Sequence, residues 1–147
     1  MATANLRRQH DAALDLVAEI RLLTRNYRGE KDAFALSLKL AKMVGVLRIH
    51  FAQEDRHLYP LMIQSSDEEA RKLAQSYVDE MGALGAAFDD YAARWSSSTK
   101  IADAFDGFRL ESESIFNALA MRIERENTFL YPAAERVAEE RNRRFAA

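Results

Sequence analysis

His50-Phe51-Ala52-Gln53-Glu54-Asp55-Arg56-His57-Leu58-Tyr59-Pro60 has a counterpart further along the chain, Arg122-Ile123-Glu124-Arg125-Glu126-Asn127-Thr128-Phe129-Leu130-Tyr131-Pro132. Both stretches end in Leu-Tyr-Pro, and the two prolines are the only ones present. The offset of 72 residues (130 − 58) places Glu126 on Glu54 and Arg122 on His50. In each stretch apolar residues recur at alternating spacings of four and three, the mark of one buried face of a helix. Met43, Leu47, His50, Glu54, His57 and Leu61 form one seam; Ile115, Leu119, Arg122, Glu126, Phe129 and Ala133 form the other. Proline lacks an N–H and presses on the carbonyl four residues earlier. Both helices are therefore expected to bend or loosen just past their polar residues.

Two further segments carry the same period. Asn5 to Tyr27 aligns Leu6, His10, Ala13, Val17 and Ile20 and ends near Gly29; Asp67 to Trp95 aligns Tyr77, Met81, Leu84, Phe88, Tyr91 and Trp95. The repeated stretches lie in segments of about Asp32 to Gln64 and Ile101 to Val137, the latter with a short irregular start around Asp106-Gly107. Ser66 or Asp67 is placed to cap the third helix. Matching Gln9-His10 with Glu80-Met81, at an offset of 71, relates the first and third segments more loosely. No strand-type alternation of useful length occurs. The expected fold is all-α: an antiparallel up-down-up-down four-helix bundle, with residues 1–147 forming one domain.

Bulk properties exclude several classes. A net charge of −2 leaves no basic excess for nucleic acid or an anionic membrane. The absence of cysteine removes disulfides, thiolate metal sites and a cysteine nucleophile, and fits a reducing compartment. The first ten residues hold no apolar core of signal-peptide length, and no stretch reaches the roughly 20 apolar residues of a membrane span. The reading is a cytoplasmic protein. No nucleophile–base pair, phosphate loop or nucleotide fingerprint appears, which argues against an enzyme.

The candidate site is the set of ionisable residues at seam positions, where a bundle ordinarily places leucine. They are His10 on the first helix, His50, Glu54 and His57 on the second, and Arg122 and Glu126 on the fourth. A carboxylate in a core must protonate, pair or coordinate a metal. His50 and Glu54, four apart, lie on one face and suit a two-point hold on a cation. Imidazole with carboxylate favours iron, zinc or manganese over calcium. Plainer readings stand beside these. His57 aligns with Phe129, which suggests packing or an outer hydrogen bond. Glu126 can pair with Arg122. Tyr59 and Tyr131 read as packing residues with hydroxyls at the rim, and Tyr77, Phe88, Tyr91 and Trp95 as core.

His50, three spacers, Glu54-Asp55 and the closing Leu58-Tyr59-Pro60 resemble the hemerythrin-like, or HHE cation-binding, family, and His10 stands where that family has its helix-one histidine. The resemblance spans essentially the whole chain. It implies a four-helix bundle around a non-haem di-iron centre that binds or senses oxygen, responds to nitric oxide or handles iron. By position, His10 and His50 match the histidines of helices one and two, Glu54 the bridging carboxylate and Glu126 the helix-four carboxylate. The helix-three and helix-four histidine positions hold Met81 and Arg122, and Gly85 stands where some members have a further histidine.

The second half thus keeps its carboxylate and lacks its imidazoles. Thioether sulfur is a poor ligand for ferric iron or zinc, and arginine does not deprotonate to coordinate. A full di-iron centre does not fit this set. Two states remain open. One is a single iron or other divalent ion on His10, His50 and Glu54, with His57 or Glu126. The other is a metal-free bundle in which Arg122 replaces the metal charge between Glu54 and Glu126. The first implies a cation-binding sensing or regulatory protein. The second implies a regulatory module that meets a protein partner through the bundle surface. A di-iron oxidase, suggested by Glu54-x-x-His57, lacks its second pair because the copy reads Glu126-Asn127-Thr128-Phe129.

Overall fold

The structure is a computed structural model that describes residues 3–146. Four long rods make up the bundle. The first is α1 (Ala4–Arg25). The second runs from α2 (Glu30–Gln53) through a wide turn (Glu54–Leu58) into α3 (Tyr59–Ile63). The third is α4 (Glu68–Arg94). After the short α5 (Ser98–Asp103), the fourth runs from α6 (Phe105–Arg125) through a second wide turn (Glu126–Leu130) into α7 (Tyr131–Ala146). Successive rods run antiparallel, as expected, and no strand occurs among the described residues.

Local chemistry sets the rod ends. Gly29 reverses the chain between the first two rods at φ 148°, a conformation that costs little only without a Cβ. Asp67 caps α4, its side chain accepting from the backbone N–H groups of Glu69 and Ala70 at 3.0 and 3.3 Å. Of the two candidate caps, Asp67 takes the role. Ser97 caps α5 by accepting from Lys100 N–H at 3.2 Å. The break ahead of the fourth rod falls at Ala104, not at Asp106-Gly107, which continue α6.

The prolines act earlier than the sequence suggests. Tyr59 N–H donates to Glu54 C=O, and Tyr131 N–H to Glu126 C=O, each closing over five residues instead of four. These are π-turns, placed 72 residues apart like the sequence repeat. Widening the turn ahead of Pro60 and Pro132 relieves the ring–carbonyl clash that an α-turn imposes. The loosening therefore begins at the glutamates, inside the polar layer and not beyond it.

That layer divides the interior in two. On one side Ile20, Leu36, Leu47, Phe88, Tyr91 and Phe116 form an apolar core from α1, α2, α4 and α6. On the other side Leu58, Met62, Ala74, Leu130, Tyr131 and Ala134 form a second core, from the late parts of the second and fourth rods and the early part of the third, with Leu6 from the start of the first. Between them lie buried His10, His50, Glu54, Arg122 and Glu126. Apolar walls above and below keep water out and raise the cost of every unpaired charge.

Candidate metal centre

Four rod positions deliver four donor groups to one point. His10, His50, Glu54 and Glu126 are all buried, and one ligand atom from each lies within 4.8 Å of the others. His10 Nε2 stands 3.0 Å from His50 Nε2 and 2.8 Å from Glu126 Oε1. His50 Nε2 is 3.4 Å from Glu54 Oε1 and 3.5 Å from Glu126 Oε1.

The outer nitrogens of the imidazoles explain why the inner ones face each other. Gln9 donates through Nε2 to Gln53 Oε1 at 2.9 Å, which turns its carbonyl oxygen toward His50 Nδ1 at 2.8 Å. His10 Nδ1 meets Asn127 Oδ1 at 2.8 Å. Each Nδ1–H therefore donates outward to an amide carbonyl. In a neutral imidazole this leaves the Nε2 lone pair aimed at the shared centre, the arrangement that metal-binding histidines need.

Tyr131 completes the cluster. Its hydroxyl donates to Glu54 Oε2 at 2.9 Å and lies 3.2 Å from Glu126 Oε1 and 3.1 Å from His10 Nε2. Burial first, then the two carboxylates, push its acidity far out of range, so it stays a phenol and a donor. The rim position expected for this hydroxyl is wrong: it is central. Tyr59 is also internal, accepting from Arg122 Nη2 at 3.2 Å. Replacing Tyr131 with phenylalanine removes one donor from a buried carboxylate. The expected loss is about 1–3 kcal/mol of unfolding free energy, read from a urea titration.

His57 does not join. It is exposed, as is Phe129 at the matching position. In an α-helix a residue three past Glu54 would lie near the same face. The π-turn advances each residue by a smaller angle, so His57 and Phe129 swing outward. Leu58 with Tyr59, and Leu130 with Tyr131, turn inward instead. The one signal for Tyr131 in the sequence is its place directly before a proline in both copies.

Arg122 holds the second half of the layer. Its Nε donates to Glu126 Oε2 at 2.9 Å, Nη1 to Glu80 Oε2 at 3.3 Å, and Nη2 to Tyr77 C=O at 2.8 Å, with the guanidinium over the Tyr77 ring at 4.5 Å. Glu54 is not among its partners, so it does not bridge the two glutamates as the sequence reading expected. Glu126 does the bridging, with Oε1 on the histidines and Oε2 on Arg122.

The two halves correspond contact by contact. Gln9 holds His50, and Glu80, its counterpart at offset 71, holds Arg122. Tyr131 of the second copy reaches His50 at 3.4 Å in the first; Tyr59 of the first reaches Arg122 in the second. The guanidinium thus stands where repeat symmetry would place an imidazole. Met81, the counterpart of His10, is half-buried and offers no nitrogen.

Charge in the layer follows from these contacts. Burial alone would lower the His50 pKa, but Glu126 and Glu54 outweigh it and raise it from 6.5 to about 9. Burial, aided by the Glu126 charge, raises Glu54 despite His50. Burial works against ionised Glu126 as well, yet His10, His50 and Arg122 hold it well below the usual carboxylate range. Without a cation, His50 carries a proton at neutral pH. The stability this contributes is fully present below about 6.5 and is lost as pH rises through about 9. The loss is on the order of 3 kcal/mol. Glu54, whose pKa is also raised, changes stability in the same direction, its contribution declining as pH rises above about 4.5. Glu126 acts oppositely, its contribution vanishing as pH falls below about 4.5. Chelator-treated protein is expected to have its highest urea midpoint on the acid side of neutrality. A midpoint flat from pH 6 to 9.5 would contradict a charged His50.

The donor set fits a cation. Glu54 Oε1 is buried and has no hydrogen-bond partner, although it lies 3.4 Å from His50 Nε2. An orphaned carboxylate oxygen is costly in a dry site. It faces two imidazole nitrogens and a second carboxylate oxygen. Two ligands about 2.1 Å from one ion stand roughly 3 Å apart, close to the spacings seen here. The site is thus a buried imidazole–carboxylate cluster inside a four-helix bundle, with donor atoms close enough together that they could hold a metal ion.

Comparison with known families agrees. The hemerythrin HHE cation-binding domain model matches residues 1–142, and the chain belongs to that family. No curated protein and no solved structure matches it. No helix among the described residues is long and apolar enough to cross a membrane.

Proposed function

We propose that this protein is a hemerythrin-like, single-ion regulatory protein: its one domain holds one iron or other divalent cation on His10, His50, Glu54 and Glu126, and Arg122 supplies the second positive charge. The observation that carries the reading is the division of Glu126, with Oε1 turned to the histidines and Oε2 bonded to Arg122. A second ion beside Glu126 Oε2 would meet the guanidinium, which cannot be deprotonated to make room. The protein would report on its cation, or on what the cation binds, from the reducing interior of the cell that a cysteine-free chain suits.

A divalent ion held here supplies Lewis acidity and, if it is iron, a redox-active centre. The surrounding residues have separate tasks. Gln9 and Asn127 keep the Nε2 lone pairs inward, Tyr131 orients Glu54, and the apolar cores exclude water. His50 must give up its proton to bind, so uptake at pH 7 is expected to release about one proton per ion.

Elemental analysis of protein purified without a histidine tag tests this reading. One iron, zinc or manganese per chain is expected, together with proton release on reloading. Two ions per chain would remove Arg122 from its assigned role. No ion, and a melting temperature unmoved by added metal or chelator, would leave the metal-free interaction module. Replacing Asn127 or Gln9 with leucine should weaken binding by about 10–100-fold without removing any ligand atom.

A further inference from the structure

The back of α2 is apolar where a bundle surface should be polar. Phe34, Leu38, Ala41, Gly45, Ile49 and Ala52 are all exposed, the first, second and fifth at 57–58%. At about 100° per residue these six lie within roughly 40° of one line, on the side opposite Leu36, Leu40 and Leu47. The strip is about 27 Å long. The charged groups of α2 beside it are mainly cationic, and Asp89 of α4 lines the groove next to Ala41 and Arg48. Lys31, Lys42 and Arg48 border it, and none has an ion-pair partner among the described residues, whereas Lys39 on the flank is paired with Glu19. Glu30, at the start of the helix, is the one acidic residue on this face.

We propose that this face of α2 docks an acidic amphipathic helix from a protein partner. An isolated exposed apolar residue needs no explanation, but a continuous strip along five helical turns does. Small residues at Ala41 and Gly45 let a second helix approach closely in the middle, where nothing lies within 4 Å of a Cβ built on Gly45. Phe34 and Leu38 at one end, and Ile49 at the other, provide apolar anchors in the spacing by which a helix is read.

Charge selects the occupant. In a two-fold pairing of α2 with a second copy, antiparallel about Gly45, the two Lys42 residues would share one edge of the contact about 9 Å apart along the helix axis, and the two Arg48 residues the other. Like charges at that distance oppose association. A helix carrying glutamates beside its apolar stripe meets the same three cations as counter-charges. The face lies away from His50 and Glu54, so the proposal does not depend on whether a cation is bound.

The test uses the full-length protein and two synthetic helical peptides. Both have leucine at heptad positions a and d; one carries glutamate at e and g, the other lysine. The glutamate peptide is expected to bind, to perturb backbone resonances of residues 31–52, and to weaken at least tenfold between 50 and 500 mM sodium chloride. Leu38→Asp should also weaken it at least tenfold, and Lys42→Glu with Arg48→Glu should switch preference to the lysine peptide. These positions are exposed, so the variants should fold. Equal binding of both peptides, perturbations confined to other helices, or no binding of the glutamate peptide would overturn the proposal. So would sedimentation showing a dimer that Leu38→Asp dissolves, because the occupant would then be a second copy.

Discussion

Arg122→Ala is expected to lower the unfolding free energy of the cation-free protein by about 3–5 kcal/mol. The guanidinium is 6% exposed and donates to Glu126, Glu80, Tyr59 and the Tyr77 carbonyl. Truncation strips the Glu126 Oε2 atom of its donor in a layer closed on both sides by apolar core. It also leaves the buried Tyr77 carbonyl and Tyr59 hydroxyl short of partners. The contact with Glu80 matters less, because that carboxylate is half in water and screened. Urea unfolding of chelator-treated protein reads the loss. The double variant Arg122→Met with Glu126→Gln should recover much of it, since a buried pair removed whole costs far less than a pair broken. A single-variant loss below about 1 kcal/mol would mean that Arg122 is not the counter-charge of the layer.

His50→Ala should abolish tight cation binding, with affinity falling by at least about 100-fold, while His57→Ala should leave it within twofold. The two histidines are seven residues apart on one sequence seam, yet one is 1% exposed at the centre and the other is on the surface. Losing His50 removes an inward nitrogen and leaves Glu54 and Glu126 with less positive charge between them. His57 touches nothing in the cluster. Calorimetric titration of the apo protein with cobalt or ferrous ion under reducing conditions reports both affinities. Equal losses in the two variants would show that His57 moves inward on loading and that the π-turn is not fixed.

Much of this architecture was legible in the chain. The four-three spacing of apolar residues reports which face of a rod is buried, and that spacing survives because helix geometry is local. The repeat offset of 72 residues tied the second rod to the fourth, and the same offset recurs in the two π-turns. His10, His50, Glu54 and Glu126 were recognisable as a group because ionisable residues on a seam must find partners in the interior. What the pattern could not carry was the phase of the helix past the glutamates. A constant 100° step kept His57 and Phe129 on the seam and turned Tyr59 and Tyr131 toward its edge. A single widened turn reversed both assignments. Pairings across rods were equally out of reach. That Arg122 reaches Glu80 and a Tyr77 carbonyl, and not Glu54, depends on how four separated segments dock.

From the sequence alone came an all-helical bundle, its duplicated halves, and an inward layer with one half rich in imidazole and the other lacking it. These depend on residue type and on a period that neighbouring residues set among themselves. Only the folded molecule decided that Tyr131 sits among the ligand-type groups, that His57 does not, and that Glu126 turns one oxygen to the histidines and the other to an arginine. Those outcomes turn on shifts of a few ångströms between rods and on one extra residue in a turn, and such differences become visible only when distant segments compete for the same buried space.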